Sequence, residues 1–245
     1  MVDFRSEKLA GELLDPRRGF EPAAVELEIR WDPLTRQSAR ILPDAGLATQ
    51  IVFARAATKA DPESRWVSIN ANHMLPAGSS VFHPHLQGSV NPFPTTFQKL
   101  LADVAGAQFR SYLESEKRDG TRYLGSTGHV DWLASFAPLG PAELRAFVPG
   151  VASPTDGELT EELGGGIATA LGLYADLGFE SFNMALYGAP VGTPDYPLNL
   201  RMMCRSNPEP LYRSDATWLE RLHWEAAVDI SPERLAEEAA GRFGR

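Results

Sequence analysis

Two imidazoles and an amide stand at spacing two in His83-Pro84-His85-Leu86-Gln87, directly after the Gly/Ser-rich turn Pro76-Ala77-Gly78-Ser79-Ser80. The stretch 72–87 holds three of the chain's five histidines. Strand residues alternate faces. A strand over 81–90 therefore sends His83, His85 and Gln87 to one side, and Phe82, Pro84 and Leu86 toward a core. Pro84 has no N–H to offer a neighbour, so it requires a sheet edge or a locally unpaired segment. This layout suits nucleophilic chemistry at phosphorus. A neutral imidazole attacks, a neighbouring group fixes its tautomer, and backbone N–H groups of the turn hold phosphate oxygens. His-x-His alone also fits a surface pair, half of a structural metal site, or two satisfied core residues.

The elements that must position this segment follow from pattern. Residues 5–14 predict a short helix, stopped at Asp15-Pro16. Residues 25–31 alternate apolar and charged and predict a half-buried strand, with 38–42 as the return strand of a hairpin. The apolar run 48–56 predicts another strand, and 66–70 the strand that leads into the motif. Asn91-Pro92-Phe93-Pro94 breaks the chain. Thr95 or Thr96 then caps a helix to about residue 117, with Phe97, Leu100, Leu101, Val104, Phe109, Tyr112 and Leu113 on one face.

Further along, 122–124, 130–137 and 142–147 predict short strands. A helix starts near Thr155–Glu158 and runs to about Asp176, with Gly178 as its C′ residue. Gly164-Gly165-Gly166 inside it costs roughly 1 kcal/mol per glycine relative to alanine. The triplet marks either close packing against a sheet or a break. It is not a phosphate loop, because no Lys-Ser/Thr follows it. Strands at 182–187 and 198–204 are joined by a Gly/Pro-rich loop. Residues 216–227 predict a helix. Ser231 caps the last one, with Pro232 at its first position and an end near Phe243. Clustered strands between long helices, with little strand–helix–strand alternation, indicate an α+β fold with a largely antiparallel sheet.

Composition sets bounds. The chain of 245 residues is 43% hydrophobic and 22% charged, enough for a sizeable core. A net charge of −9 argues against a nucleic-acid partner bound by phosphate neutralisation and against an anionic membrane surface. It leaves open a small nucleotide, which needs only local donors. The single cysteine, Cys204, excludes an intrachain disulfide and a multi-cysteine zinc site. Residues 1–19 lack the apolar core of a signal peptide, and no run approaches the ~20 apolar residues of a membrane span. The expectation is a soluble, cytoplasmic protein.

The central segment resembles the active-site segment of the galactose-1-phosphate uridylyltransferase family, the GalT-like branch of the histidine-triad (HIT) superfamily. Asn72, Gly78, Ser79, Ser80, His83, Pro84, His85 and Gln87 match the family pattern in order and spacing. Three further stretches resemble it more loosely: Arg30-Trp31-Asp32-Pro33-Leu34-Thr35, Tyr187-Gly188-Ala189-Pro190, and the strand through Leu198, Arg201 and Met203. The resemblance implies a HIT-like fold of two related halves, 1–120 and 121–245, whose strands form one extended sheet. It implies His85 as the nucleophile, which attacks the α-phosphorus of a nucleoside diphosphate compound and becomes nucleotidyl-histidine. Gln87 holds a phosphoryl oxygen. HIT hydrolases carry a third histidine at that place, and an amide cannot transfer a proton at neutral pH, so glutamine favours transfer over hydrolysis. Ser80 and Ser79 stabilise charge on the phosphoryl oxygens. Asn72 contacts phosphate or ribose, and Gly78, His83 and Arg30 belong to the substrate side. Of the family's C-terminal sugar-phosphate contacts only Glu225, beside His223 and Trp224, can be placed.

The chain also departs from the family. The segment 43–66 is shorter than the strands and helix usually found there, and the basic cluster after the N-terminal hairpin is missing. The structural zinc of the family needs a cysteine pair and the first histidine of His-Pro-His. No pair exists here, so no zinc is expected at His83. The second metal site needs three histidines where this chain has Tyr187, Arg201 and Met203. The expectation is no metal and no other cofactor, a nucleotide or nucleotide-sugar substrate, a phosphate-bearing acceptor and a homodimer. Three functions fit: a uridylyltransferase-like enzyme with altered donor or acceptor, a dinucleoside polyphosphate or nucleotide-sugar phosphorylase of the same chemistry, or a catalytically silent nucleotide-binding paralogue. Arg201 and Arg205 could add phosphate contacts. His129 beside Asp131 is a candidate acid–base pair, His223 a boundary residue and Cys204 a packed strand residue.

Overall fold

In a computed structural model the described residues are 6–15, 21–31, 38–41, 46–79, 85–104, 107–210, 216–217, 219–223 and 225–244. Strands β1 (Ser6–Asp15), β2 (Glu21–Trp31) and β3 (Ser38–Ile41) form a small antiparallel sheet. The expected β2–β3 hairpin is present, with Glu28 opposite Ile41 and Trp31 opposite Ser38. The helix expected over 5–14 is instead β1, matched to β2 from Ser6–Arg30 to Asp15–Glu21. Ten residues of cross-strand pairing supply backbone partners over the whole segment, and that outweighs a local helical pattern.

The apolar run 48–56 is likewise not a strand. It lies inside helix α1 (Leu47–Ala60), which is alanine-rich and buries Ile51 and Ala54, three residues apart on one face. The main sheet has seven strands in the order β5-β4-β9-β10-β8-β7-β6, every neighbouring pair antiparallel. They are β4 (Trp66–His73), β5 (Gln87–Asn91), β6 (Tyr123–Thr127), β7 (Val130–Ala134), β8 (Leu144–Val148), β9 (Ser181–Tyr187) and β10 (Leu198–Arg205). This is the expected α+β fold with a largely antiparallel sheet. Strands from before and after residue 120 join where β4 pairs β9.

Register separates two faces. Ile69, Leu186, Leu200, Ala146 and Trp132 are successive cross-strand partners, and all five are buried. With Leu163, Ala170 and Leu173 of α4 (Thr160–Asp176), α1 and Leu235 of α5 (Pro232–Glu238), they build the main core. One residue along, the row reads Gln87, Asn70, Ala185, Arg201, Arg145 and Leu133. Partners in register share a face, so this second row points away from the core. Helices α2 (Thr96–Val104) and α3 (Ala107–Asp119) cover part of it. Leu101 packs near Tyr196, and Leu113 packs on Leu133 and Phe147. The helix expected after Thr95 is described over 96–104 and 107–119, and residues 105 and 106 lie outside the described residues.

Gly166 explains the glycine triplet. A Cβ there would meet the Trp132 ring at 2.3 Å, so the helix approaches the sheet through a residue with no side chain. Gly166→Ala is expected to destabilise the fold by about 1–3 kcal/mol through overpacking, read as a lower urea midpoint at unchanged m-value. Gly178 takes φ +82° just past α4, as a C′ glycine does. The helix begins at Thr160 rather than near Thr155. Among the described residues of the helix expected over 216–227, helical structure is a π-helical turn, Leu219–His223, where Glu220 pairs with Arg205. Ser231 caps α5 as expected, accepting from the Arg234 N–H. That helix stops at Glu238 because the chain then turns to bring Phe243 onto the Trp132 ring and Gly244 beside Ser126.

Burial also sets alkaline behaviour. It raises the Tyr174 and Tyr187 phenols, and pushes Tyr196 up to about 12. Between pH 10 and 12 the unfolded chain has lost phenolic protons that the folded chain keeps. Stability therefore falls as pH rises through that window. Arg145 works the other way: burial first, then Arg201, lowers it to about 10, so in the same window the unfolded chain binds the extra proton. Three phenols outweigh one guanidinium. The urea midpoint is expected to drop from pH 9.5 to 11.5, with tyrosinate absorbance of these residues rising only on unfolding.

Candidate active site

The site sits on the open face of the sheet, at the end of β4 and the start of β5. Strand β4 buries Val67, Ile69 and Ala71 and turns Ser68, Asn70 and Asn72 to the other side. Met74 ends it at φ 69°, ψ 165°, a region in which non-glycine residues are strained. A 3-10 turn, Leu75–Ala77, and Gly78 at φ +86° reverse the chain. Within this turn the N–H groups of Ala77 and Ser79 both donate to Met74 O, and that of Gly78 donates to Leu75 O. Of the turn's N–H groups expected to hold phosphate oxygens, those of Ala77, Gly78 and Ser79 are thus engaged, and Ser80 lies outside the described residues. Ser79 is buried.

Ser80 and His83, both expected in the site, lie outside the described residues, as do all of residues 81–84 at the start of the strand expected over 81–90. The strand itself begins at Gln87. His85 and Leu86 precede it as irregular chain, yet they keep the expected division of faces. Leu86 packs on the main core, while its carbonyl accepts from Gln50 Nε2 at 3.2 Å. His85 is half-buried, and its Nε2 lies 3.4 Å from Gln87 Nε2. An amide nitrogen can only donate, so the ring nitrogen that faces it carries the lone pair. In the tautomer that fits this contact, the ring proton is on Nδ1 and Nε2 carries the lone pair.

Polar side chains extend the site across the sheet. Asn70 Nδ2 donates to Gln87 O at 3.3 Å, and its Oδ1 accepts from Ser68 Oγ at 2.8 Å. Asn183 of β9 stands opposite Asn72 and donates from Nδ2 to Asn72 Oδ1 and to Ala77 O, each at 2.8 Å. His73 stacks on Phe182, ring centroids 5.2 Å apart. Asn70 and Asn183 were not among the expected residues. The alternation Asn70-Ala71-Asn72 was a readable signal for the first. Asn183 gives none in sequence, because its partners are 111 and 106 residues away.

Further along the same face lies a buried charge cluster. Arg201 Nη1 donates to Glu143 Oε1 at 2.7 Å, and Glu143 Oε2 accepts from the Leu139 N–H at 2.6 Å. The Arg201 guanidinium lies over the Phe97 ring, and that of Arg145 over Phe147 and Tyr112. Three strand spacings of ~4.8 Å separate Arg201 from Gln87, roughly 14 Å. Tyr187, Arg201 and Met203 occupy the places of the second metal implied by the family resemblance. They do not fit one, since a guanidinium ion-paired with Glu143 already supplies positive charge there, beside a phenol that burial keeps protonated. Among the described residues no group of three potential metal ligands is clustered.

The remaining expected residues lie elsewhere. Arg30 is in β2, opposite Ser6 and Ala39 in the small sheet. Glu225 is exposed just after the π-helical turn, and among the described residues no hydrogen bond joins it to His85. Trp224 lies outside the described residues. His129 and Asp131 do not form an acid–base pair. His129 Nδ1 contacts Glu162 Oε1 at 3.0 Å, while Asp131 accepts from Lys117 and Tyr123, each at 2.7 Å. Arg205 pairs with Glu220, and Cys204 is a buried strand residue whose thiol burial pushes up. No helix among the described residues is long and apolar enough to cross a membrane.

No family model matches the chain. An uncharacterized protein of Archaeoglobus fulgidus is 28% identical over 191 residues, which are 72% of this chain and 56% of that one. The chain thus spans about half the length of that relative. Among solved structures, an ADP-glucose phosphorylase from Arabidopsis thaliana with bound ADP-glucose aligns at TM-score 0.61 and 15% identity, over 79% of this chain and 65% of that one. A GalT-like protein from Arabidopsis thaliana aligns at 0.62 and 16%, over 79% and 66%. A uridylyltransferase aligns at 0.61 and 16%, over 91% and 76%. These likenesses show the GalT-like fold that the motif implies.

Proposed function

We propose that this chain, built on the GalT-like fold, is a nucleotidyltransferase that works through a covalent nucleotidyl-histidine at His85. The observation that carries the reading is the His85 ring, whose Nε2 lone pair faces the Gln87 amide on the open face of the sheet. In the first step the Gln87 amide turns from Nε2 to a phosphoryl oxygen, and the freed lone pair attacks the α-phosphorus of a nucleoside diphosphate compound. The P–N bond forms, the α-phosphorus–oxygen bond to the leaving phosphate or sugar phosphate breaks, and the electron pair departs with that oxygen. In the second step an acceptor phosphate oxygen attacks the same phosphorus, and the P–N electron pair returns to Nε2. Sugar phosphate is already a good leaving group, so neither step needs a strong acid. The Gln87 amide steadies phosphoryl oxygen and ring without moving a proton. By the family resemblance, Asn72, Ser79 and Ser80 would contact the phosphoryl group, and Gly78 and His83 would belong to the substrate side.

The donor is a nucleotide sugar such as UDP-hexose and the acceptor a hexose 1-phosphate, or a variant of either. A phosphorylase, with inorganic phosphate as acceptor, is the second reading. The likeness to an ADP-glucose phosphorylase favours it. Metal plays no part in the proposed reaction, and the working form is a homodimer. Elution at monomer mass in gel filtration would count against the dimer.

Isotope exchange tests the proposal. A double displacement lets labelled glucose 1-phosphate enter UDP-glucose or ADP-glucose with no second substrate present, and labelled phosphate exchange with ADP marks the phosphorylase. Absence of every exchange from a folded protein that still binds nucleotide would support a silent nucleotide-binding paralogue instead.

A further inference from the structure

We infer that Asn183 sets the hydrogen-bond polarity of Asn72, so that the site presents a fixed N–H donor to an acceptor-only ligand group, the phosphoryl oxygen. The phosphoryl identity rests on the nucleotide reading above; the polarity does not.

The chain of deduction starts at a backbone atom. Ala77 O can only accept, so the Asn183 atom 2.8 Å from it is the amide nitrogen. That same nitrogen lies 2.8 Å from the Asn72 amide, so the Asn72 atom facing it is Oδ1. Both protons of Asn183 Nδ2 are thereby committed, one to each acceptor. Asn72 has its oxygen taken, and its Nδ2, with two protons, is left on the half-buried outer side of β4. Among the described residues no acceptor is bonded to it.

This donor matters because the turn supplies so few. The N–H groups of Ala77, Gly78 and Ser79 are bonded within the turn, so they cannot form an oxyanion cradle. Without Asn183 the Asn72 amide could rotate and offer Oδ1, which repels a phosphoryl oxygen. Asn183 also ties the turn to β9, so one side chain fixes both the donor and the segment that leads toward His85. It is a positioning residue. It acts through Asn72 and does not itself reach the reacting atoms.

Asn183→Asp keeps the shape and replaces the donor by an acceptor. The carboxylate then attracts Asn72 Nδ2, and Oδ1 turns outward. Calorimetric titration with UDP-glucose and ADP-glucose is expected to show at least about tenfold weaker binding of whichever ligand the wild type takes, the scale of one lost hydrogen bond to a charged group. Asn72→Ala should cost a similar factor. Adding Asn183→Asp to Asn72→Ala should then cost only what the lost Ala77 O bond costs, well below tenfold, because the residue through which Asn183 sets the donor is gone. A full tenfold loss in that background overturns the inference. Asn183→Ala serves the same cycle if the Asp variant fails to fold.

If the wild type binds neither sugar nucleotide, the nucleotide reading fails while the polarity remains testable. The Asn183 side-chain amide protons are then expected to exchange slowly with solvent and those of Asn72 quickly. The reverse order overturns the inference by itself.

Discussion

His85→Ala is expected to lower nucleotidyl exchange by three orders of magnitude or more, with the fold intact. The side chain is half-buried at the margin of the sheet, and its loss leaves the Leu86 contact with the core in place. Removing the nucleophile removes the covalent path altogether, and groups that act as one unit do not leave a graded remainder. Sugar-nucleotide affinity should change far less, because Asn72 and the turn are untouched. Gln87→His supplies the contrast. It puts a proton-transferring ring where the amide stands, so the nucleotidyl intermediate should partition toward water and release free nucleoside monophosphate. Exchange assays and product analysis on the two variants separate the roles. If His85→Ala retains exchange, the nucleophile is misassigned.

The second large effect concerns stability. Glu143 is buried, and both its oxygens are bonded, one to Arg201 and one to the Leu139 N–H. Arg145, also buried, adds a second guanidinium close enough to act on the first. Glu143 is therefore the carboxylate that balances two cations in a low-dielectric setting. Glu143→Gln is expected to cost about 3–5 kcal/mol, the usual range for breaking a buried pair from one side. Against a typical domain stability of about 5–15 kcal/mol, that is a large share. Glu143→Met with Arg201→Met should recover part of the loss, since the directly bonded pair is then removed whole and only Arg145 loses its counter-charge. Urea unfolding of the two variants reads both effects. A Glu143→Gln protein as stable as wild type would mean the arginines are solvated and the cluster is not buried.

The fold class and the division of faces around the motif were legible in the sequence, and the course of several single elements was not. The His85-Leu86-Gln87 alternation told which side chains face the core and which face out, because it depends only on neighbouring residues. Local signals also placed the Gly178 helix end and the Ser231 cap. The errors fell where distant partners decide. Residues 6–15 are a strand because β2 pairs with them, and 48–56 are helical although their apolar run fits a buried strand equally well. The committed N–H groups of Ala77, Gly78 and Ser79, the Asn183 anchor and the Glu143–Arg201 pair arise from register and backbone geometry. Glu143 and Arg201 are 58 residues apart in the chain, and no spacing rule joins them.

The central claim is that His85 carries the nucleotide. Its most direct test is intact-mass measurement after brief mixing with UDP-glucose and, separately, ADP-glucose, followed by acid-free peptide mapping. The account predicts a mass gain of one nucleoside monophosphate, located on His85 and absent from His85→Ala. An adduct on another residue, or exchange activity without any adduct, would contradict it.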